Sequence, residues 1–151
     1  MSDWDVRFMG LAKLVASWSK DPSTKVGAVI VDDRRRICGV GYNGFPRGVE
    51  DKPFQLENRE LKYPRVVHAE ANAILNSAKT EGCTLYGWPL FSCSTCAGLI
   101  IQAGITRLVT PEPLEARWQS SYDVSLEMYK EAGVTVDFMN EHGTVVSQYD
   151  V

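Results

Sequence analysis

The sequence of 151 residues has no apolar run that approaches the roughly 20 residues needed to cross a bilayer. It also has no basic excess, because 16 lysines and arginines stand against 19 acidic residues and the net charge is −3. Nucleic-acid-binding proteins usually carry such an excess, so neither nucleic acid nor a membrane is an expected partner. No repeat, low-complexity tract or linker divides the chain, and its length suits a single domain over residues 1–151.

The first residues have neither the basic nor the apolar part of a secretory signal, so we expect a cytoplasmic protein, in the host cytoplasm if the source is viral. Cysteine is scarce, with four residues. In a reducing compartment a Cys-x-x-Cys pair is more often a metal or redox site than a structural disulfide. The other two cysteines, Cys38 and Cys83, stand in apolar stretches, and we interpret them as small buried hydrophobic residues.

The hydrophobic pattern predicts helices that alternate with strands. A first amphipathic helix over 3–19 is predicted from Trp4, Phe8, Leu11, Val15 and Trp18. Further helices are predicted over 68–79, 93–103 and 121–132, and strands over 26–31, 37–42, 83–86, 106–109, 134–138 and 145–149. The 68–79 helix is expected to bury Ala71, Ile74, Leu75 and Ala78. This order predicts one mixed sheet with helices on both faces.

A long stretch between residues 43 and 67 is rich in turn formers and charge and shows no clear period. A loop longer than about a dozen residues in a compact domain is usually functional or disordered. We expect a functional loop here, with a short helix around 56–61.

The most informative residues are His68-Ala-Glu70 and Cys93-Ser-Thr-Cys96. One imidazole and two thiolates are three ligands of the kind that zinc prefers, and a catalytic zinc keeps its fourth position open for water. Glu70 lies two residues from His68 and offers a carboxylate that can move the protons which such a water releases. Both groups fall at predicted helix starts, where Ser92 can cap the second helix.

Two other interpretations of these residues stay open. A structural zinc needs a fourth protein ligand, for which His142, Cys38 or Cys83 can be nominated. A redox pair formed by Cys93 and Cys96 predicts a reversible disulfide and has no need of the histidine and glutamate. The catalytic interpretation uses the whole pattern and is favoured. The pattern matches the signature of zinc-dependent nucleobase deaminases, except that Ser92 stands where the signature has a proline.

The similarity extends over four segments, namely 19–31 (SKDPSTKVGAVIV), 41–48 (GYNGFPRG), 67–74 (VHAEANAI) and 92–97 (SCSTCA). Together they resemble deoxycytidylate (dCMP) deaminases, and the compact length is most similar to phage or bacterial members. The resemblance implies a cytidine-deaminase-like α/β fold, a three-layer α-β-α sandwich with one mixed five-stranded sheet. It also implies zinc-dependent hydrolysis of dCMP to dUMP and ammonia, ahead of thymidylate synthesis.

The same resemblance assigns roles to individual residues. It implies one zinc ion per chain held by His68, Cys93 and Cys96, with Glu70 as the catalytic proton shuttle. The expected substrate contacts are Asn43 at the sugar, the Ala69 backbone at the pyrimidine edge, Ser23 and Lys25 at the 5′-phosphate, and Tyr122 on the nucleotide side. The segment Gly41-Tyr42-Asn43-Gly44 resembles a loop that carries activation by dCTP with Mg²⁺ and inhibition by dTTP, in proteins that are often hexamers.

Other substrates and another class of protein stay open as alternatives. Within the same fold, the substrate can be dCTP, a free nucleoside or a tRNA adenosine. The acidic net charge disfavours tRNA, and Lys25 disfavours a free nucleoside. A non-catalytic nucleotide-sensing protein stabilised by zinc is less favoured, because a purely structural site has no use for Glu70.

Overall fold

The computed structural model describes residues 3–113 and 119–147. Six strands are present: β1 (Gly27–Val31), β2 (Ile37–Tyr42), β3 (Thr84–Trp88), β4 (Arg107–Pro111), β5 (Thr135–Met139) and β6 (Val145–Ser147). They form one sheet in the order β2-β1-β3-β4-β5-β6, in which β3, β4 and β5 are parallel and the other pairings are antiparallel. The predicted mixed five-stranded sheet is confirmed, and the short β6 adds an edge. Residues 148 and 149 of the predicted last strand lie outside the described residues.

Helices cover both faces of this sheet. They are α1 (Asp3–Ala16), α2 (Pro53–Glu57), α3 (Arg59–Lys62), α4 (Ala69–Asn76), α5 (Ser94–Gln102) and α6 (Gln119–Ala132). Along β1, Val29 and Val31 pack with α1, whereas Ala28 and Ile30 pack with residues of α4, α5 and α6. This alternation produces the predicted three-layer α-β-α arrangement. Among residues 3–113 and 119–147, no helix combines the length and apolar character needed to cross a membrane.

The first helix is shorter than predicted, and its predicted buried side is confirmed at Phe8 and Val15 but not at the two tryptophans. Trp4 and Trp18 are 37% and 50% exposed, although the helical spacing placed both on the buried side. The end of the helix lies directly against β1, because a Cβ added at Gly27 would lie 2.1 Å from the Ala12 carbonyl oxygen and 2.5 Å from the Ala16 nitrogen. Trp18 follows the end of the helix at Ala16, so the helical spacing no longer places its ring against the sheet.

For helix α4 the prediction of the buried side is confirmed only in part, since Ala71 and Ile74 are half-buried whereas Leu75 and Ala78 are exposed. Leu75 is 77% exposed, and the buried residues are Ala69, Glu70 and Ala73. The helix also ends at Asn76 instead of continuing to residue 79, because Ser77 is extended and the next backbone N–H bonds to the Cys38 carbonyl. Tight packing of α4 on β2 therefore decides which residues are buried.

Gly41 makes this packing testable. A Cβ at Gly41 would lie 2.2 Å from the Ala73 nitrogen and 2.6 Å from the Ala69 carbonyl oxygen, whereas a Cβ at Gly44 meets nothing within 4 Å. We expect Gly41→Ala to lower the free energy of unfolding by about 1–3 kcal/mol, because backbone must move. Gly44→Ala is the matched control and should leave stability unchanged. Denaturant unfolding of both variants checks this, and equal stability of the two would contradict the close packing.

The stretch between residues 43 and 67 contains two short helices, α2 and α3, where one was expected around 56–61. Asn58 separates them, and its side chain accepts from the backbone N–H groups of Glu60 and Leu61 at the start of α3. The stretch is held at its ends by paired hydrogen bonds between Gly44 and Val67. It thus forms an ordered flap whose last residues lead directly into His68.

Candidate active site

The two sequence motifs open two neighbouring helices. His68 is the N-cap residue of α4 and Cys93 is the N-cap residue of α5, both with extended backbone. Helix N-termini carry partial positive charge, which favours thiolates and other anions nearby. The predicted cap by Ser92 was wrong, because its buried hydroxyl pairs with the hydroxyl of Tyr129 at 2.6 Å. The helix-start placement of His68 and Cys93 is confirmed.

The structure brings His68, Cys93 and Cys96 together, with their potential ligand atoms all within 4.8 Å of one another. The His68 Nδ1 atom lies 3.2 Å from the Cys96 Sγ and 3.6 Å from the Cys93 Sγ. A tetrahedral zinc about 2.3 Å from sulfur and about 2.0–2.1 Å from nitrogen separates the two kinds of ligand atom by about 3.5 Å. The arrangement therefore fits zinc in ligand type and in spacing.

A fourth protein ligand does not join this group within residues 3–113 and 119–147. His142, Cys38 and Cys83, the nominated candidates for a closed structural site, lie outside it. All four cysteines are free thiols, so Cys93 and Cys96 form no disulfide here. Cys83 is buried in the core, as interpreted from the sequence, whereas Cys38 is only half-buried against it. Three ligands without a fourth are the pattern of a catalytic zinc site.

The short distances among His68, Cys93 and Cys96 shift the pKa values of these side chains. The Cys96 thiol hydrogen-bonds to Cys93 and lowers the pKa of the Cys93 thiol, and the neighbouring His68 lowers it further. The hydrogen bond to Cys93 in turn raises the pKa of His68. Burial raises the pKa of Glu70, whose side chain lies beside these groups without belonging to the ligand set.

A cavity of about 180 Å³ opens onto this group. Its wall includes His68, Glu70 and Cys93, together with an aromatic pair in which Phe91 and Tyr122 meet edge to face at 5.4 Å. The other lining residues are Asp21, Ser23, Thr24, Val26, Asn43, Arg59, Lys62, Tyr63, Val66, Ala69 and Leu90. The cavity combines a potential metal site, a buried carboxylate, flat apolar surfaces and cationic side chains, which suits a charged aromatic ligand.

Asn43 lines the cavity and organises one of its walls. The Oδ1 atom accepts from the Val26 backbone at 2.9 Å, and the Nδ2 atom donates to the Thr24 carbonyl at 2.9 Å and to Asp21 at 3.5 Å. Asp21 also accepts from the backbone N–H groups of Ser23 and Thr24. The amide of Asn43 therefore fixes the 21–26 segment against the end of β2.

Sequence reasoning missed the two cations of this cavity. Lys62 is buried, and its Nζ donates to Asp21 at 3.1 Å, while Arg59 lines the cavity without an ion pair to another described residue. Nothing in the charged 43–67 stretch distinguishes these two residues from their solvated neighbours. Lys25, which was nominated for the phosphate, lies outside the lining residues, and its Nζ donates to the Ser19 carbonyl.

Of the other residues expected to contact substrate or effector, some line the cavity and others lie outside it. Ser23, Ala69 and Tyr122 line the cavity. Of the segment 41–44, Gly41 and Tyr42 belong to β2, and Gly44 pairs with Val67 at the base of the flap. Only Asn43 from this segment lines the cavity.

Comparison with known proteins decides the family. Residues 2–112 match the model for the cytidine and deoxycytidylate deaminase zinc-binding region. This chain belongs to the cytidine and deoxycytidylate deaminase family. The matched region includes all three clustered residues, Glu70 and most of the cavity. The chain is therefore a deaminase, and its His68, Cys93 and Cys96 group lies in the part that the family uses to bind zinc.

Individual relatives of this deaminase agree with the family. It is 46% identical over 143 residues to the uncharacterized deaminase in the luxG 3′ region of Aliivibrio fischeri, covering 92% of this chain and 95% of that protein. It is 41% identical to the deoxycytidylate deaminase of Mus musculus, covering 98% and 86%. The dCMP deaminase of cyanophage S-TIM5, solved with dCMP and dUMP, superimposes with a TM-score of 0.73 at 27% identity, covering 92% and 99%.

Proposed function

We propose that this deaminase hydrolyses dCMP to dUMP and ammonia with zinc at His68, Cys93 and Cys96. The observation that carries the proposal is one cavity that joins this group and Glu70 to the cations Arg59 and Lys62. A deaminase of free nucleosides has no need of cations in its pocket, whereas a nucleotide brings a phosphate dianion. The names of the mouse and cyanophage relatives support the same substrate.

The reaction breaks the bond between C4 of cytosine and its amino nitrogen and forms a bond between C4 and a water oxygen. A zinc ion held by His68, Cys93 and Cys96 supplies a nucleophilic water near neutral pH, because it lowers the pKa of that water to about 7. Glu70 lies buried in the cavity wall beside the ligand group. Its carboxylate accepts one proton of that water and passes it to the ring nitrogen N3, then takes the second proton from the hydroxyl group formed at C4 and delivers it to the departing amine.

The rest of the cavity orients the nucleotide. Phe91 and Tyr122 offer flat apolar surface to the pyrimidine and sugar, and the Ala69 backbone lies in the wall next to Glu70. Asn43 holds the 21–26 segment, which presents Ser23 to the same space. Burial between these walls excludes bulk water from the reacting carbon, which strengthens every electrostatic interaction inside.

Arg59 and Lys62 are the proposed phosphate-binding residues, in place of Lys25. Asp21 neutralises Lys62, so Arg59 provides positive charge that has no ion-pair partner among the described residues. We expect Arg59→Gln to raise KM for dCMP about 10- to 100-fold, since a hydrogen bond to a charged group contributes about 1.5–3 kcal/mol. Steady-state kinetics with dCMP and with deoxycytidine measure the effect, and kcat/KM for deoxycytidine should not change.

The matched control is Lys25→Gln, which removes the same charge outside the cavity. It should leave KM for dCMP unchanged. If Arg59→Gln lowered kcat/KM for dCMP and for deoxycytidine by the same factor, a contact between Arg59 and the phosphate would be contradicted. If KM for dCMP rose in Lys25→Gln and not in Arg59→Gln, Lys25 would be the phosphate-binding residue, as nominated from the sequence.

The substrate itself is tested by a panel of dCMP, dCTP, deoxycytidine and a tRNA adenosine substrate. The proposal expects the highest kcat/KM with dCMP. If kcat/KM were higher with deoxycytidine than with dCMP, the substrate would be a nucleoside and not a nucleotide. If it were highest with dCTP, the substrate would be a triphosphate bound by the same cations.

We also propose that the regulation implied by the family resemblance applies here, with dCTP and Mg²⁺ as activator, dTTP as inhibitor and a hexamer as the assembly, in the cytoplasm. Asn43 supports this, because its amide connects the end of β2 to the wall of the cavity. Repeating the dCMP assay with dCTP and Mg²⁺, and then with dTTP, tests the control. Light scattering of the same sample gives the number of subunits.

A further inference from the structure

Helix α6 contacts the chain on both sides of Cys93. Ser121, Ser125 and Tyr129 are spaced four residues apart and so share one face of the helix. Tyr129 and Ser92 join their hydroxyl groups at 2.6 Å, and the Ser125 hydroxyl donates to the Ser92 carbonyl at 2.9 Å. The Ser94 backbone N–H donates to the Ser121 hydroxyl at 3.0 Å. We name these five residues the serine seam.

The seam is buried where it holds Ser92. Ser92, Ser125 and Tyr129 are 1%, 0% and 0% exposed. Buried hydroxyl groups cost stability unless they are paired, and an apolar contact would fill the same space without that requirement. The seam therefore favours one arrangement of α6 against Ser92, because the buried hydroxyl groups need these partners.

The position of the seam suggests its use. The deaminase signature has a proline before the first cysteine, and this chain has Ser92. A proline fixes its own φ and restricts the residue before it, so it stiffens the approach to the thiolate. Serine imposes no such restriction. Hydrogen bonds from α6 to Ser92 and Ser94 can restrain the same backbone from outside.

We propose that the serine seam is a positioning device for zinc in this chain: α6 holds Ser92 and Ser94, and thereby Cys93, in the place of the proline of the signature. The inference rests on the proposed zinc site. Ser92 and Tyr129 are positioning residues, since neither belongs to the ligand group or lines the cavity among the described residues. Groups that orient metal ligands from behind typically change metal affinity or activity 10- to 100-fold when removed.

The test is zinc affinity, measured by chelator competition on the full chain with wild type, Ser92→Ala, Tyr129→Phe and the double variant. We expect each single change to weaken zinc binding about tenfold. The double variant should be no weaker than either single one, because both remove one hydroxyl pair. Ser92→Pro should bind zinc like wild type, and adding Tyr129→Phe to it should have no further effect.

Tyr86→Phe is the matched control. It removes a buried tyrosine hydroxyl that donates to Asp5 on the opposite face of the sheet, so it should not change zinc affinity. Wild-type affinity in Tyr129→Phe, or equal weakening in Tyr86→Phe, would overturn the seam as a positioning device while leaving the proposed function intact. Absence of zinc binding in wild type would overturn the zinc site itself, and the seam with it.

Discussion

Glu70→Gln is expected to lower the rate of dCMP deamination by about 10²- to 10⁴-fold, the usual contribution of a positioned general acid–base group. Glutamine has nearly the shape of glutamate but cannot accept and return a proton. Because Glu70 is outside the ligand group, the variant should bind zinc like wild type. Single-turnover dUMP formation, with zinc content measured on the same preparation, checks both parts.

The control for this change is Asp137→Asn. It removes another buried carboxylate, one that pairs with Arg107 and does not line the cavity. It should keep the wild-type rate, although its stability can fall. Near-wild-type turnover in Glu70→Gln would show that Glu70 does not transfer protons in the reaction. If Glu70→Gln failed to fold and released zinc, the role of the carboxylate would instead be to stabilise the fold.

Removing zinc is expected to abolish turnover completely, and adding Zn²⁺ back should restore it. Mg²⁺ should not restore it, because Mg²⁺ prefers oxygen ligands and the group offers one nitrogen and two sulfurs. The measurement is dUMP formation after dialysis against a chelator and after titration with each metal. Residual turnover in metal-free protein would contradict a catalytic zinc.

Two cysteine variants separate the ligands from other thiols. Cys93→Ser should bind zinc far more weakly and show no turnover at ordinary zinc concentrations, since a thiolate ligand is lost. Cys38→Ser, which changes a half-buried cysteine outside the ligand group, should retain about one zinc per chain. Retention of zinc in Cys93→Ser would assign the ion to other residues.

The sequence predicts the secondary structure well where a local signal dominates. The hairpin strand 37–42 is found with the predicted bounds, and His68 and Cys93 open their helices as expected. The failures are tertiary. Leu75 has the helical spacing of a buried residue but is exposed, because α4 packs on β2 through alanine and glycine. Trp18 is exposed because α1 ends before it, at Ala16. Hydrophobic periodicity predicts which side of a helix is apolar. Close contact between the backbones of helix and strand determines which residues of that side are buried.

The same distinction applies to the site. The zinc group is predictable because ligand chemistry restricts both residue type and spacing. Lys62 and Arg59 are not, because a cation in a charged stretch acquires meaning only when the chain folds it onto Asp21 and the cavity. The contact between Ser92 and Tyr129 joins residues 37 apart in sequence, and no local pattern indicates it.

The central claim is that a zinc ion at His68, Cys93 and Cys96 and the carboxylate of Glu70 deaminate dCMP in one cavity. Its most direct test is dUMP formation from dCMP with zinc counted on the same sample. We predict turnover with about one zinc per chain, the stoichiometry of a three-ligand catalytic site. Full zinc occupancy without turnover of dCMP, also in the presence of dCTP and Mg²⁺, would contradict the account.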